Sequence, residues 1–164
     1  MILLAHMLFG AIMGSVIKNI PLAMIMALLG HYFLDAFPHV EYSIYNIRNK
    51  NWKKSLPDMA KVFFDFCLGV LCIFIFSKNL PIIYISAFAA IIPDGLTIVS
   101  DNFPKLKNSG LQRLFSNINK ILSLHHTMHT EKIHYLTKKK KFPMFWRILT
   151  QAVAITASII ILTF

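Results

Sequence analysis

Long apolar runs separated by short polar punctuation dominate this chain. Five windows, about 2–17, 20–37, 59–77, 80–98 and 145–164, approach the roughly 20 apolar residues that carry a helix across a bilayer. The second and fourth are interrupted near their ends by His31, Asp35 and Asp94. Two short turns, "IKNIP" and "SKNLP", join the first window to the second and the third to the fourth. Pro21 and Pro81 in those turns suit the opening of the helix that follows. Their likeness is compatible with a weak internal repeat or with a common turn composition. Two other connections are much longer, 38–58 and 99–144. In the second, Leu111, Leu114, Phe115, Ile118, Ile121 and Leu122 recur at helical spacing. That pattern predicts an amphipathic helix lying on the membrane surface, although a helix packed on the span ends would show it too. The predicted architecture is an all-α integral membrane protein. It is one transmembrane domain over 1–164, with five transmembrane helices and an interfacial cytoplasmic helix.

Composition agrees with lipid as the solvent. Hydrophobic residues make up 56% of the 164 positions and charged residues 15%, against about 25% charged in a typical soluble domain. The opening "MILLAHMLFG" has no basic region and no small-residue cleavage site follows, so a removable signal peptide is not expected. Every Lys and Arg except Lys18 and Lys78 falls in or beside the two long connections. The positive-inside rule then predicts those connections on the cytoplasmic side of the cell (inner) membrane, the N-terminus inside and the C-terminus outside. The net charge of +10 is accounted for by this bias and by anionic lipid. No nucleic-acid partner is expected, and Lys138 to Lys141 read as an orientation signal. Cys67 and Cys72 lie within the third window and read as packing residues, neither a disulfide nor a metal pair.

The ionisable residues are distributed unevenly. His6, His31, Asp35, His39, Asp65, Asp94, His125, His126 and His129 all fall toward the predicted cytoplasmic side. No Asp, Glu or His falls in the outer half of a window or in an outer turn. Such residues cost roughly 2.5–3.5 kcal/mol each at a bilayer centre and are kept where they meet a partner. Several at one depth on different helices predict a shared partner, and imidazole with carboxylate suits a divalent metal, zinc before manganese or iron. His31 and Asp35, four apart, share a helix face. Pro38 ends that helix and lets His39 turn back. His125 and His129 form a second four-residue pair, with His126 three before His129. Plainer readings exist beside these. His6 could be an interfacial histidine, Asp65 could pair with Lys61, Asp94 after Pro93 could cap or break its helix, and His39, Glu41 and His134 could be surface residues.

The segments "AHMLFGAIMG", "GHYFLDAFPHVEY", "AAIIPDG" and "LHHTMHT" together resemble the membrane-bound metal-dependent hydrolase family of bacteria and archaea. That resemblance implies metal-site roles for His6, His31, Asp35, Asp94, His125, His126 and His129.

The function expected from these features is metal-dependent hydrolysis at the cytoplasmic membrane face. The ion would polarise the scissile group and ease the ionisation of water, with His39 or Asp65 handling protons. A site at headgroup depth ringed by Lys and Arg suits a phosphoester, such as a phospholipid or isoprenoid phosphate. Two other classes compete. A membrane scaffold would use the same side chains in structural hydrogen bonds. A metal transporter would need polar residues at the midplane and on both sides, which the bare outer half does not offer.

Overall fold

The computed structural model describes residues 2–102 and 142–164, and these are helical with no strand among them. Among the described residues six α-helices follow in order, α1 (Leu3–Val16), α2 (Ile20–Asp35), the short α3 (Tyr45–Arg48), α4 (Leu56–Phe76), α5 (Pro81–Asn102) and α6 (Met144–Thr163), with a 3-10 turn at Trp52–Lys54 before α4. The surface helix expected over 111–122, His134 and Lys138 to Lys141 lie outside the described residues.

The helix starts follow from local chemistry. The Asn19 side chain accepts from the Leu22 amide at 3.0 Å, with Pro21 in the first turn of α2. α5 opens on Pro81 itself. Between α4 and α5, Asn79 takes a positive φ of 54° and its side-chain amide donates to Phe74 O at 3.1 Å. Asparagine tolerates that left-handed conformation better than most side chains.

Three helices are long and apolar enough to cross a membrane: Leu56–Phe76, Pro81–Ile98 within α5, and Met144–Thr163. Five full spans are not confirmed among the described residues. α1 and α2 have 14 and 16 residues, which at about 1.5 Å per residue reach roughly 21–24 Å, short of the roughly 30 Å hydrocarbon core. The reason is visible in α1. It occupies the centre of the bundle, in contact with α2, α4, α5 and α6, and buries Leu4 through Leu8, Gly10, Ala11, Ile12 and Gly14. A helix enclosed by protein need not match the lipid thickness. α4 and α6 form the outer surface, where Phe63, Phe64, Leu68, Phe74, Phe145 and Ile160 are exposed. Apolar surface of this kind marks contact with lipid or a partner.

α1 and α5 approach closely. A Cβ on Gly10 would meet Ser86 O at 2.5 Å, and one on Gly14 would meet Ile82 O at 2.6 Å, the small-residue packing common between membrane helices. The Gly14 contact puts the end of α1 beside the start of α5, so the turns carrying Lys18 and Lys78 share one end of the bundle. The start of α1, the end of α2 and the far part of α5 share the other. Pro93 does not end α5, which continues for nine residues to Asn102. Proline removes one helical donor and crowds the preceding turn, but neighbouring groups can keep such a helix intact. Here Pro93 is fully buried, and Thr97 Oγ1 donates to Pro93 O at 3.0 Å.

Candidate functional site

At the end of the bundle opposite Lys18 and Lys78, α1, α2 and α5 each contribute ionisable side chains to one cluster. His6 comes from the first turns of α1, His31 and Asp35 from the last turns of α2, and Asp94 from the turn after Ala90 in α5. The helical spacing of His31 and Asp35 aligns them as expected, with His31 Nε2 3.2 Å from Asp35 Oδ2. The other carboxylate oxygen, Oδ1, lies 3.2 Å from His6 Nε2. Asp94 Oδ1 lies 3.8 Å from His31 Nε2. His6 and His31 stack with ring centroids 4.1 Å apart. His6, His31 and Asp35 are fully buried, whereas the Asp94 side chain is 28% exposed.

Proton positions follow from the carbonyl partners. His31 Nδ1 is 2.8 Å from Ala90 O, and a carbonyl only accepts, so Nδ1 carries the hydrogen. In the neutral ring the Nε2 lone pair then faces Asp35 and Asp94. Ala90 adjoins the turn that Pro93 crowds. His39 repeats the pattern: Nδ1 donates to Phe37 O at 2.7 Å, and Nε2 lies 2.9 Å from Glu41 Oε1 and 3.9 Å from Asp35 Oδ1. Lone pairs directed at carboxylate oxygens repel unless a proton or another cation lies between them. A histidine whose second nitrogen donates to a carbonyl is oriented as metal-binding histidines are.

His6 makes the case sharper. Neither of its buried nitrogens has a hydrogen-bond partner among the described residues. Its Nε2 lies 3.2 Å from Asp35 Oδ1 without forming a hydrogen bond of good geometry. Ligand atoms around a tetrahedral zinc at 2.0–2.1 Å stand about 3.3 Å from one another, aimed at a common centre rather than at each other. His6, His31 and Asp94 each offer one ligand atom, all within 4.8 Å of one another, and this group could hold a metal ion. The donor set, nitrogen with carboxylate oxygen, fits a divalent ion of zinc, manganese or iron type.

Asp65 stands apart from this cluster. One oxygen accepts from Leu3 N at 2.7 Å and the other faces Leu4 N at 3.4 Å. Asp65 thereby caps the start of α1 from another helix. Lys61 instead pairs with Asp58, at 3.3 Å. Burial, and then the Asp65 charge, raise the Tyr42 phenol above its ordinary 10.0. His125, His126 and His129 lie outside the described residues.

The segment carrying His39 is held by α6. Arg147 Nε donates to His39 O at 2.7 Å, Thr150 Oγ1 donates to Pro38 O, and Gln151 Oε1 accepts from Val40 N at 3.1 Å. Sequence reasoning counted only Arg147, as an orientation charge, and missed Thr150 and Gln151. The signal existed in Gln151, an amide within an apolar helix, where an unmatched polar group is as costly as those singled out.

Beside the cluster is a cavity of about 750 Å³ bounded by α4, α5 and the 41–48 segment, with Asp94, Glu41 and Arg48 among its lining residues. The chain matches no protein-family model, no curated protein and no solved structure.

Proposed function

We propose that this protein is a membrane-embedded, metal-dependent hydrolase acting on a phosphoester, in keeping with its resemblance to the membrane-bound metal-dependent hydrolase family. The observation that carries the proposal is the convergence of two stacked imidazoles and two carboxylates from three helices, with the His6 nitrogens lacking hydrogen-bond partners among the described residues. A carboxylate as buried as that of Asp35 is strongly disfavoured unless a positive charge compensates it.

His6, His31 and Asp94 would hold a divalent ion, zinc first, with Asp35 bridging the two imidazoles as a further ligand or as their acceptor. The bound ion would supply Lewis acidity toward a phosphoryl oxygen and neutralise charge developing on it. Asp94, the partly exposed member, would face substrate arriving from the cavity. His39 would hold a proton at Nε2, and Glu41, whose side chain is 55% exposed, would pass it to solvent. Asp65 would be a positioning residue that fixes the start of α1 and hence His6. The polar end of the bundle would face the cytoplasm.

Elemental analysis of the detergent-purified full chain tests this reading. One divalent ion per chain is expected, reduced at least about tenfold in His31→Ala and Asp35→Ala. Phosphate release from phospholipid or isoprenoid phosphate should stop on chelation and return with metal. A stable, metal-free protein without turnover on any phosphoester would leave the scaffold reading instead.

A further inference from the structure

The cavity beside the cluster has a mixed lining. Asp94, Glu41 and Arg48 line it together with apolar side chains, including Val62 and Phe66 of α4, Ile91 and Ile98 of α5, and Ile44 and Ile47 of the 41–48 segment. Its volume of about 750 Å³ falls within the roughly 300–1,000 Å³ typical of small-molecule sites. Gly95 also lines it, directly after Asp94, and a Cβ there would meet nothing within 4 Å.

We infer that the cavity receives one hydrocarbon chain of an anionic amphiphile, whose phosphate or phosphonate head lies beside Asp94 at the candidate metal. This rests on the metal reading above, because without a bound cation the Asp94 and Glu41 carboxylates would repel an anion. The chain is recognised by apolar burial and the head by charge. Substrates are then selected by length as well as by headgroup, and a short water-soluble phosphoester occupies only the head position.

Titration of the metal-loaded full chain with alkylphosphonates from butyl to decyl, read by native mass spectrometry against free aqueous concentration, tests the inference. One adduct per chain is expected. Each added methylene should tighten it about fourfold, the fold-change that about 0.8 kcal/mol per buried methylene represents, until the cavity is full. Gly95→Leu should flatten the series, because its side chain enters open space in the cavity, and Val62→Phe should do so from the opposite wall. Alkyltrimethylammonium ions of equal length should bind at least about tenfold more weakly. A flat series in the wild-type chain, no effect of either filling variant, or equal binding of the cationic amphiphile would overturn the inference. Its failure is separable from that of the hydrolase reading. Metal-dependent hydrolysis of p-nitrophenyl phosphate beside a flat phosphonate series removes the chain site and keeps the hydrolase, whereas a rising series without turnover on any phosphoester does the reverse.

Discussion

A buried polar group without a partner costs about 1–3 kcal/mol, and both His6 nitrogens are in that condition among the described residues. A leucine there would remove the cost and fill much the same space. His6→Leu is therefore expected to raise the melting temperature of the chelated protein by several degrees. In the metal-loaded protein it should lower it, because stabilisation by the bound ion is lost with its ligand. Differential scanning fluorimetry with and without chelator reads both signs, and a rise in both conditions would count against His6 as a ligand. Tyr42 offers a second reading at this scale. Burial and the Asp65 charge both disfavour its phenolate and raise its pKa. Its contribution to stability is complete below pH 10.0, the ordinary phenol value, and is lost as pH rises from there through the raised value. Phenolate absorbance in a wild-type minus Tyr42→Phe difference spectrum should thus emerge well above pH 10.0, and Asp65→Asn should move it back toward that value. The same pair shows what residue spacing conveys. His31 and Asp35 can be aligned from their four-residue separation alone. Asp65 cannot be placed that way, because its partners are the Leu3 and Leu4 amides 62 and 61 positions away and backbone amides leave no mark in a sequence.

Elements add constraints that single residues do not carry. α6 joins the bundle at its outer surface, yet Arg147, Thr150 and Gln151 hold the backbone from Pro38 to Val40. That grip sets the height of His39 relative to Asp35. Replacing Gln151 with leucine leaves the Val40 amide without its acceptor, at a cost of about 1–3 kcal/mol, and frees the segment to shift. On the hydrolase reading, Gln151→Leu is expected to lower kcat about tenfold or more with metal content unchanged, while Gln151→Glu, which keeps an acceptor oxygen, should retain most of the activity. Loss of metal together with kcat would assign the damage to the cluster itself. Helix existence and hairpin turns were legible from apolar runs and from Pro21 and Pro81. Helix rank was not. Hydropathy treats the 2–17 and 145–164 windows as equals, but one is the enclosed hub and the other a lipid-length outer helix. The difference lies in what surrounds α1, and in Gly10 and Gly14, whose missing side chains allow α5 to approach.

At the scale of the molecule, the two ends of the bundle differ in kind. The end bearing Lys18 and Lys78 has short Asn-containing turns. The other gathers His6, His31, Asp35, His39 and Asp94, together with the cavity and the Arg48–Lys54 stretch. The contact between Gly14 and Ile82 and that between His31 and Ala90 fix which groups share an end, so one orientation of the bundle decides where the candidate site works. If the charge bias orients the chain as expected, the proposed hydrolase would draw substrate from the cytoplasmic leaflet, whose anionic lipid also attracts the basic stretch. Cysteine accessibility tests this directly. In a Cys67→Ala, Cys72→Ala background, Lys18→Cys and Lys78→Cys should react with a membrane-impermeant maleimide on the outside of intact spheroplasts, and Arg48→Cys and Lys53→Cys only after permeabilisation. The reverse pattern would place the cluster on the outer side and require a substrate from that leaflet. Labelling of all four before permeabilisation would mean that this bundle does not separate two compartments, consistent with the short reach of α1 and α2 and with three helices of spanning length among the described residues.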